Sequence, residues 1–109
     1  MAMRGETKLA LVTGANRGIG FAIACGLAAG GMRVLAGVRS PTTASEAEGE
    51  FRKAGAAVVP VILDVADTET IPGALGSIAR EHGAIDVLVN NDPDRRSWRV
   101  RRQPVRYDR

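Results

Sequence analysis

The sequence predicts an α/β fold: a parallel β-sheet with helices on both faces. Three observations lead there. Short apolar runs of strand length alternate with segments of helical period. The loops between them are short, and a glycine-rich turn joins the first run to the first helical segment. Parallel strands cannot be joined by tight hairpins, so each intervening helix serves as the crossover.

Leu9–Thr13 (LALVT) is nearly continuous in apolar residues and stops at Gly14, as suits a strand covered on both faces. From Ile19 the period lengthens: Ile19, Ile23 and Leu27, with Ala22 and Gly26 beside them, predict one buried helix face that ends at Gly30-Gly31. Arg33–Val38 is a second strand. Ser40-Pro41-Thr42-Thr43 supplies turn and N-cap chemistry. Ala44, Ala47, Phe51 and Ala54 then form the apolar stripe of a solvated helix stopped by Gly55. Ala57–Leu63 is a third strand, although Pro60 inside it cannot donate to a ladder. Asp67 or Thr68 is expected to cap the next helix, whose apolar face is Ile71, Ala74, Leu75 and Ile78. Ile85–Asn90 completes a fourth strand.

The bulk properties set limits. A chain of 109 residues holds one domain at most, and with 4% aromatic residues its core must be built from Val, Ile, Leu and Ala. The net charge of +3 is unevenly placed: residues 1–91 carry −1 and residues 92–109 carry +4. The basic balance therefore says little about the ligand of the body. With Cys25 as the single cysteine, no internal disulfide can form. No metal-ligand cluster is expected. The first residues lack the apolar stretch of a signal peptide, and no run approaches a membrane span, so a soluble cytoplasmic protein is expected.

The strongest chemical signal is Thr13-Gly14-Ala15-Asn16-Arg17-Gly18-Ile19-Gly20, placed after the first strand and opening the first helix. Gly14 permits a tight turn, Gly18 lets a pyrophosphate approach the backbone, and Gly20 lets helix and sheet pack closely. Free amides at the helix start then hold the anion. This is the chemistry of a Rossmann-type dinucleotide site, with the spacing G-x3-G-x-G.

In these residues the sequence resembles the short-chain dehydrogenase/reductase family. Thr13–Gly20 matches its cofactor motif. Leu63-Asp64-Val65 matches its adenine-contacting segment, and Asp86-Val87-Leu88-Val89-Asn90-Asn91 matches its fourth-strand motif as far as the middle of N-N-A-G. The resemblance covers roughly residues 6–91. It implies a central parallel sheet of about four strands in the order 3-2-1-4, with an NAD(H) or NADP(H) site across its C-terminal edge. The residues expected to hold the cofactor are Gly14, Asn16, Arg17, Gly18, Ile19, Gly20, Arg39, Asp64, Val65 and Asn90. Asp64 and Asn90 could each be read alone as a turn residue, but the resemblance favours Asp64 accepting from the adenine amino group and Asn90 lying beside the ribose.

A carboxylate at the end of the second strand would take the ribose 2′-OH and repel a 2′-phosphate. Arg39 stands there instead, and Arg17 lies within the glycine turn. Two guanidiniums suit a phosphate dianion, so NADP(H) is favoured over NAD(H), unless both are simply solvated loop residues. Cys25 reads as inert packing, and His82 as an imidazole complementing the dipole at the end of the third helix.

No residue is assigned a catalytic role. The family carries a Ser and a Tyr-x-x-x-Lys well downstream of the fourth strand. Here the sole tyrosine is Tyr107, with no lysine after it. The chain is therefore expected to be an NADP(H)-dependent oxidoreductase by resemblance, inactive as it stands. Two other readings remain: a non-catalytic adenine-nucleotide-binding remnant, and a nucleic-acid-binding module acting through the basic tail. The sequence indicates neither substrate nor oligomeric state.

Residues 1–91 are thus expected to form the N-terminal part of a dinucleotide-binding domain, and 92–109 an arginine-rich, disordered tail. In mid-motif, Asn90-Asn91 is followed by Asp-Pro-Asp-Arg-Arg, and residues 92–109 contain seven arginines but no alanine or glycine. A reading-frame shift just after the Asn91 codon would produce so abrupt a change. Sequencing the coding DNA tests this: another frame should continue as Ala-Gly and reach Tyr-x-x-x-Lys, and failure of every frame rules the shift out.

Overall fold

The protein is described by a computed structural model over residues 7–16, 18–92 and 97–101, with only the backbone described for residues 92 and 97–101. The elements run β1 (Leu9–Thr13), α1 (Gly18–Ala29), β2 (Arg33–Val38), α2 (Pro41–Lys53), β3 (Val58–Ile62), α3 (Ile71–His82), β4 (Val87–Asp92) and β5 (Ser97–Arg101). They form one sheet in the order β3-β2-β1-β4-β5. The first four strands are parallel, in the order that the resemblance implies.

β5 was not foreseen. It pairs antiparallel with β4, from Asp92↔Ser97 to Leu88↔Arg101. The sequence predicts an exposed apolar edge at β4 and a disordered tail. The structure instead covers that edge with residues 97–101, while residues 93–96 and 102–109 lie outside the described residues. Ser97-Trp98-Arg99-Val100-Arg101 alternates polar with apolar residues and has no glycine or proline, a pattern that suits an edge strand.

The strand alternation divides the core in two. On one face, Val12, Val34, Ala36, Val38, Val58 and Val89 meet Ala24 of α1 and Ala47 and Phe51 of α2. On the other, Leu9, Leu11, Leu35, Leu63 and Ile85 meet Leu75 and Ile78 of α3. The two aromatic rings of the first face, Phe21 and Phe51, stack with centroids 4.6 Å apart. At the N-terminal edge Asp86 ties β4 to β1. Its Oδ2 accepts from the Leu9 amide at 2.9 Å, while its own amide donates to the Leu9 carbonyl at 2.9 Å.

Three local expectations need correction. The face of α1 expected from Ile19, Ala22 and Gly26 is exposed, whereas Gly20 and Ala24 are buried and Ile23 and Leu27 pack partly. α1 is apolar nearly all round, so periodicity cannot select a side; the small residues select it by allowing closest approach to the sheet. α3 starts later than a cap at Asp67 or Thr68 would give. Successive turn bonds, Asp67 N to Asp64 O and Thr70 N to Asp67 O, delay it until Thr70 is the N-cap. In α2, Ala54 is exposed beyond the helix end, although Ser40 caps the start as expected, its Oγ accepting from Thr43 N at 3.2 Å.

Pro60 resolves itself. β3 is an outer strand, and the Leu63 amide donates inward to Val38 O at 2.7 Å. Backbone groups alternate in direction along a strand, so the position of Pro60 faces outward, where no ladder bond is lost.

Among the described residues no helix is long and apolar enough to cross a membrane, and no group of acidic, His or Cys side chains could hold a metal ion. Phe51 is 1% exposed and anchors α2. Phe51→Ala should lower the unfolding free energy by about 3–5 kcal/mol, the usual cost of emptying an aromatic site in a core. Urea denaturation followed by circular dichroism measures this, and a loss below about 1 kcal/mol would show that α2 is held elsewhere.

Candidate functional site

In a parallel sheet all C-terminal strand ends fall on one edge. Here that edge carries Asp64 just beyond β3, Arg39 just beyond β2, the Gly14 turn beyond β1, and Asn90 and Asn91 near the end of β4. Neighbouring strands lie ~4.8 Å apart, so these groups spread over roughly 14 Å, a span that an extended dinucleotide can cross.

The glycine turn is built as its spacing predicts. Gly14 and Gly18 have φ of 60° and 64°, the left-handed region that glycine enters without penalty. The Gly14 amide donates to Gly37 O of β2 at 3.1 Å, a last rung of the β1–β2 ladder before the chain leaves β1. A Cβ at Gly18 would meet nothing within 4 Å, so this part of the turn is open. A Cβ at Gly20 would lie 2.3 Å from the Gly14 carbonyl oxygen and 2.7 Å from Asn91 Nδ2. Only glycine lets α1 start this close to β1. The first amides of α1 have no partners within the helix and stand at this edge, the arrangement an anion requires.

Two residues absent from the expected set hold the turn in place. Thr13, 2% exposed, accepts the Asn91 amide on its Oγ1 at 2.9 Å. Its single hydroxyl proton has Asn90 Oδ1 as the nearest acceptor at 3.2 Å, with Val89 O at 3.4 Å and Asn91 O at 3.5 Å farther off. Asn91 in turn donates from Nδ2 to Gly14 O at 3.2 Å. Thr13, Asn90, Asn91, Gly14 and Gly20 therefore form one connected group. Thr13 was detectable as the sole polar residue of a buried strand. The contact between Asn91 and Gly14, 77 residues apart, was not visible in the sequence.

The structure places the remaining expected residues as follows. Ile19 and Val65 are exposed, at 61% and 36%. Arg39 is exposed one strand away from the turn. Asn16 lies in the turn itself, half-buried. Asp64 makes the Asx turn weighed as its alternative, Oδ1 accepting from Ala66 N at 3.0 Å, which still leaves acceptor capacity on its carboxylate. Arg17 lies outside the described residues. Cys25 packs partly against the core, and His82 ends α3 with its carbonyl accepting from Arg33 Nη2 at 2.9 Å.

Glycine substitutions separate the close approach from ordinary helix propensity. Gly20→Ala should cost about 1–3 kcal/mol, because the added methyl meets backbone that cannot yield. Gly26→Ala, in the same helix with nothing within 4 Å of the new Cβ, should instead stabilise. The gain there should be about 0.5–1 kcal/mol. Thermal melts of both variants decide; equal effects would show that the contact does not govern the fold.

The model of the family described as short chain dehydrogenase matches residues 8–92. Gluconate 5-dehydrogenase of Gluconobacter oxydans is 38% identical over 82 residues, covering 75% of this chain and 32% of that protein. The 3-oxoacyl-(acyl-carrier-protein) reductase of Escherichia coli is 43% identical over 89 residues, covering 82% and 35%. Among solved structures, a variant of actinorhodin polyketide ketoreductase with NADPH superposes with a TM-score of 0.70 at 33% identity, over 83% of this chain and 34% of that one. The 2-keto-3-deoxy-D-gluconate dehydrogenase of Streptococcus agalactiae gives 0.71 at 33%, over 77% and 32%. The chain thus spans about a third of the length of the relatives it matches. With its glycine turn, strand order and fourth-strand asparagines all in place, the chain belongs to the short chain dehydrogenase family.

Proposed function

We propose that the C-terminal edge of this sheet binds NADP(H), and that the chain is the nucleotide-holding part of a short-chain oxidoreductase. The observation that carries the reading is the Gly14–Gly20 approach, which sets the start of α1 close against the end of β1, where the first helix amides have no intrahelical partner to compete with a diphosphate. Asn16 and Gly18 would border the diphosphate, and Ile19 would be covered by the bound molecule. Asp64 and Val65 would border the adenine, with Asn90 next to a ribose. The nicotinamide ring, where bound, supplies hydride transfer between an alcohol and a carbonyl.

Charge decides between the two dinucleotides. Past β2 the chain offers Arg39 and no carboxylate until Glu46, and the sequence between Gly14 and Gly20 contains a second cation, Arg17. A 2′-phosphate gains charge-assisted hydrogen bonds from guanidiniums, while a bare 2′-hydroxyl has no acidic partner here. The actinorhodin ketoreductase, which is solved with NADPH, supports the same preference. Within these 109 residues no Tyr-x-x-x-Lys follows β4. The function proposed for these residues is therefore nucleotide binding.

Calorimetric titration with 2′-phospho-ADP and with ADP tests the preference. The phosphorylated compound should bind at least about tenfold tighter, the equivalent of one charge-assisted hydrogen bond. Arg39→Ala should remove most of that difference, and equal affinities in the unaltered chain would overturn the assignment.

A further inference from the structure

We infer that β5 positions the nucleotide site, by holding the outer side of the β4 segment that ties down the glycine turn. This inference deepens the nucleotide reading above and rests on it.

The register of β4 carries the argument. Its parallel ladder with β1 ends at Val12↔Val89. Asn90, Asn91 and Asp92 project beyond it, and among the described residues their only strand partner is β5, through Asn90↔Arg99, Asn91↔Trp98 and Asp92↔Ser97. Backbone direction follows from one bond. The Asn91 amide points toward β1, where it donates to Thr13 Oγ1 at 2.9 Å. Successive residues of a strand direct their backbone groups to opposite sides, so Leu88, Asn90 and Asp92 face β5. In an antiparallel ladder facing residues exchange N–H···O=C bonds, which pairs the backbone of Asn90 with that of Arg99.

Asn91 reaches the glycine turn, and Asn90 reaches Thr13 at the end of β1 just before it. Asn90 Oδ1 takes the Thr13 hydroxyl, and Asn91 Nδ2 takes the Gly14 carbonyl. Without β5 these residues would extend past the end of the parallel ladder with one side unpaired. With β5 they are held between two partners, and Gly14 is held through them. The tail thus acts on the site through the β4 backbone, independently of its arginine charges.

The same alternation supplies a matched pair of variants. Arg99→Pro removes a donor that faces β4. Val100→Pro removes one that faces away, which an edge strand tolerates. Proton exchange at the Leu88, Asn90 and Asp92 amides should accelerate in Arg99→Pro and remain slow in Val100→Pro. Affinity for 2′-phospho-ADP should fall about tenfold in Arg99→Pro, as loss of one or two backbone bonds predicts, and should hold within about twofold in Val100→Pro. A purely structural role would leave one further measurement unmoved. By reciprocity, saturating 2′-phospho-ADP should slow exchange at those three amides in the unaltered chain by the same factor.

Equal exchange in the two variants overturns the proposal, as does nucleotide that leaves the three amides unaffected. Binding of equal strength by the unaltered chain and both variants overturns the role of β5 alone. No binding by the unaltered chain overturns the nucleotide reading, and this proposal with it. Should Arg99→Pro lose its circular-dichroism signal while Val100→Pro keeps its own, the reciprocal measurement on the unaltered chain decides.

Discussion

The C-terminal edge of this sheet depends on a missing methyl group. Because residue 20 has no Cβ, the first turn of α1 rests against the Gly14 carbonyl, and Asn91 can reach that same oxygen from β4. Once the helix start, the end of β1 and the end of β4 share this oxygen, the positions of the remaining groups follow. Thr13 needs a partner for a buried hydroxyl, and the Asn91 amide and Asn90 side chain supply it. No buried side-chain nitrogen or oxygen among the described residues is left without a hydrogen bond. Close packing and polar satisfaction meet at one point, and that point is where α1 begins.

Much of this was legible in the chain itself. The four parallel strands and three helices announce themselves because each buried strand is a short apolar run and each helix ends at or near glycine. The glycine turn is legible because its three glycines each answer a different steric demand. The buried side of α1 is not, since Ala, Gly, Ile and Leu surround the helix and only tertiary approach distinguishes them. The start of α3 is obscured for a related reason: Asp64, Asp67, Thr68 and Thr70 can all form turns or caps, and their competition is settled by backbone bonds that span three residues.

β5 shows a different kind of blindness. Its alternation of Ser97, Trp98, Arg99, Val100 and Arg101 lies in a segment dominated by arginine, where charge draws attention from period. Lacking a continuous apolar run like that of Leu9–Thr13, these five residues do not predict a strand unless an unpaired neighbour is known to await them. The unpaired edge was foreseen and the residues that cover it were not, because pairing between strands is a property of two segments together. The same limit hid the link from Asn91 to Gly14. Sequence periodicity reports what one segment wants; it does not report which distant segment answers.

Pro60 has a consequence at the opposite margin of the sheet. Val59 and Ile62 leave β3 partly greasy toward solvent, at 49% and 46% exposure. A stray extended chain approaching there would find a gap in the row of donors and a rigid ring in its path. A proline at that position disfavours edge-to-edge pairing of a second chain along β3. It does so at the margin farthest from β5, leaving the C-terminal rim of the four parallel strands unobstructed.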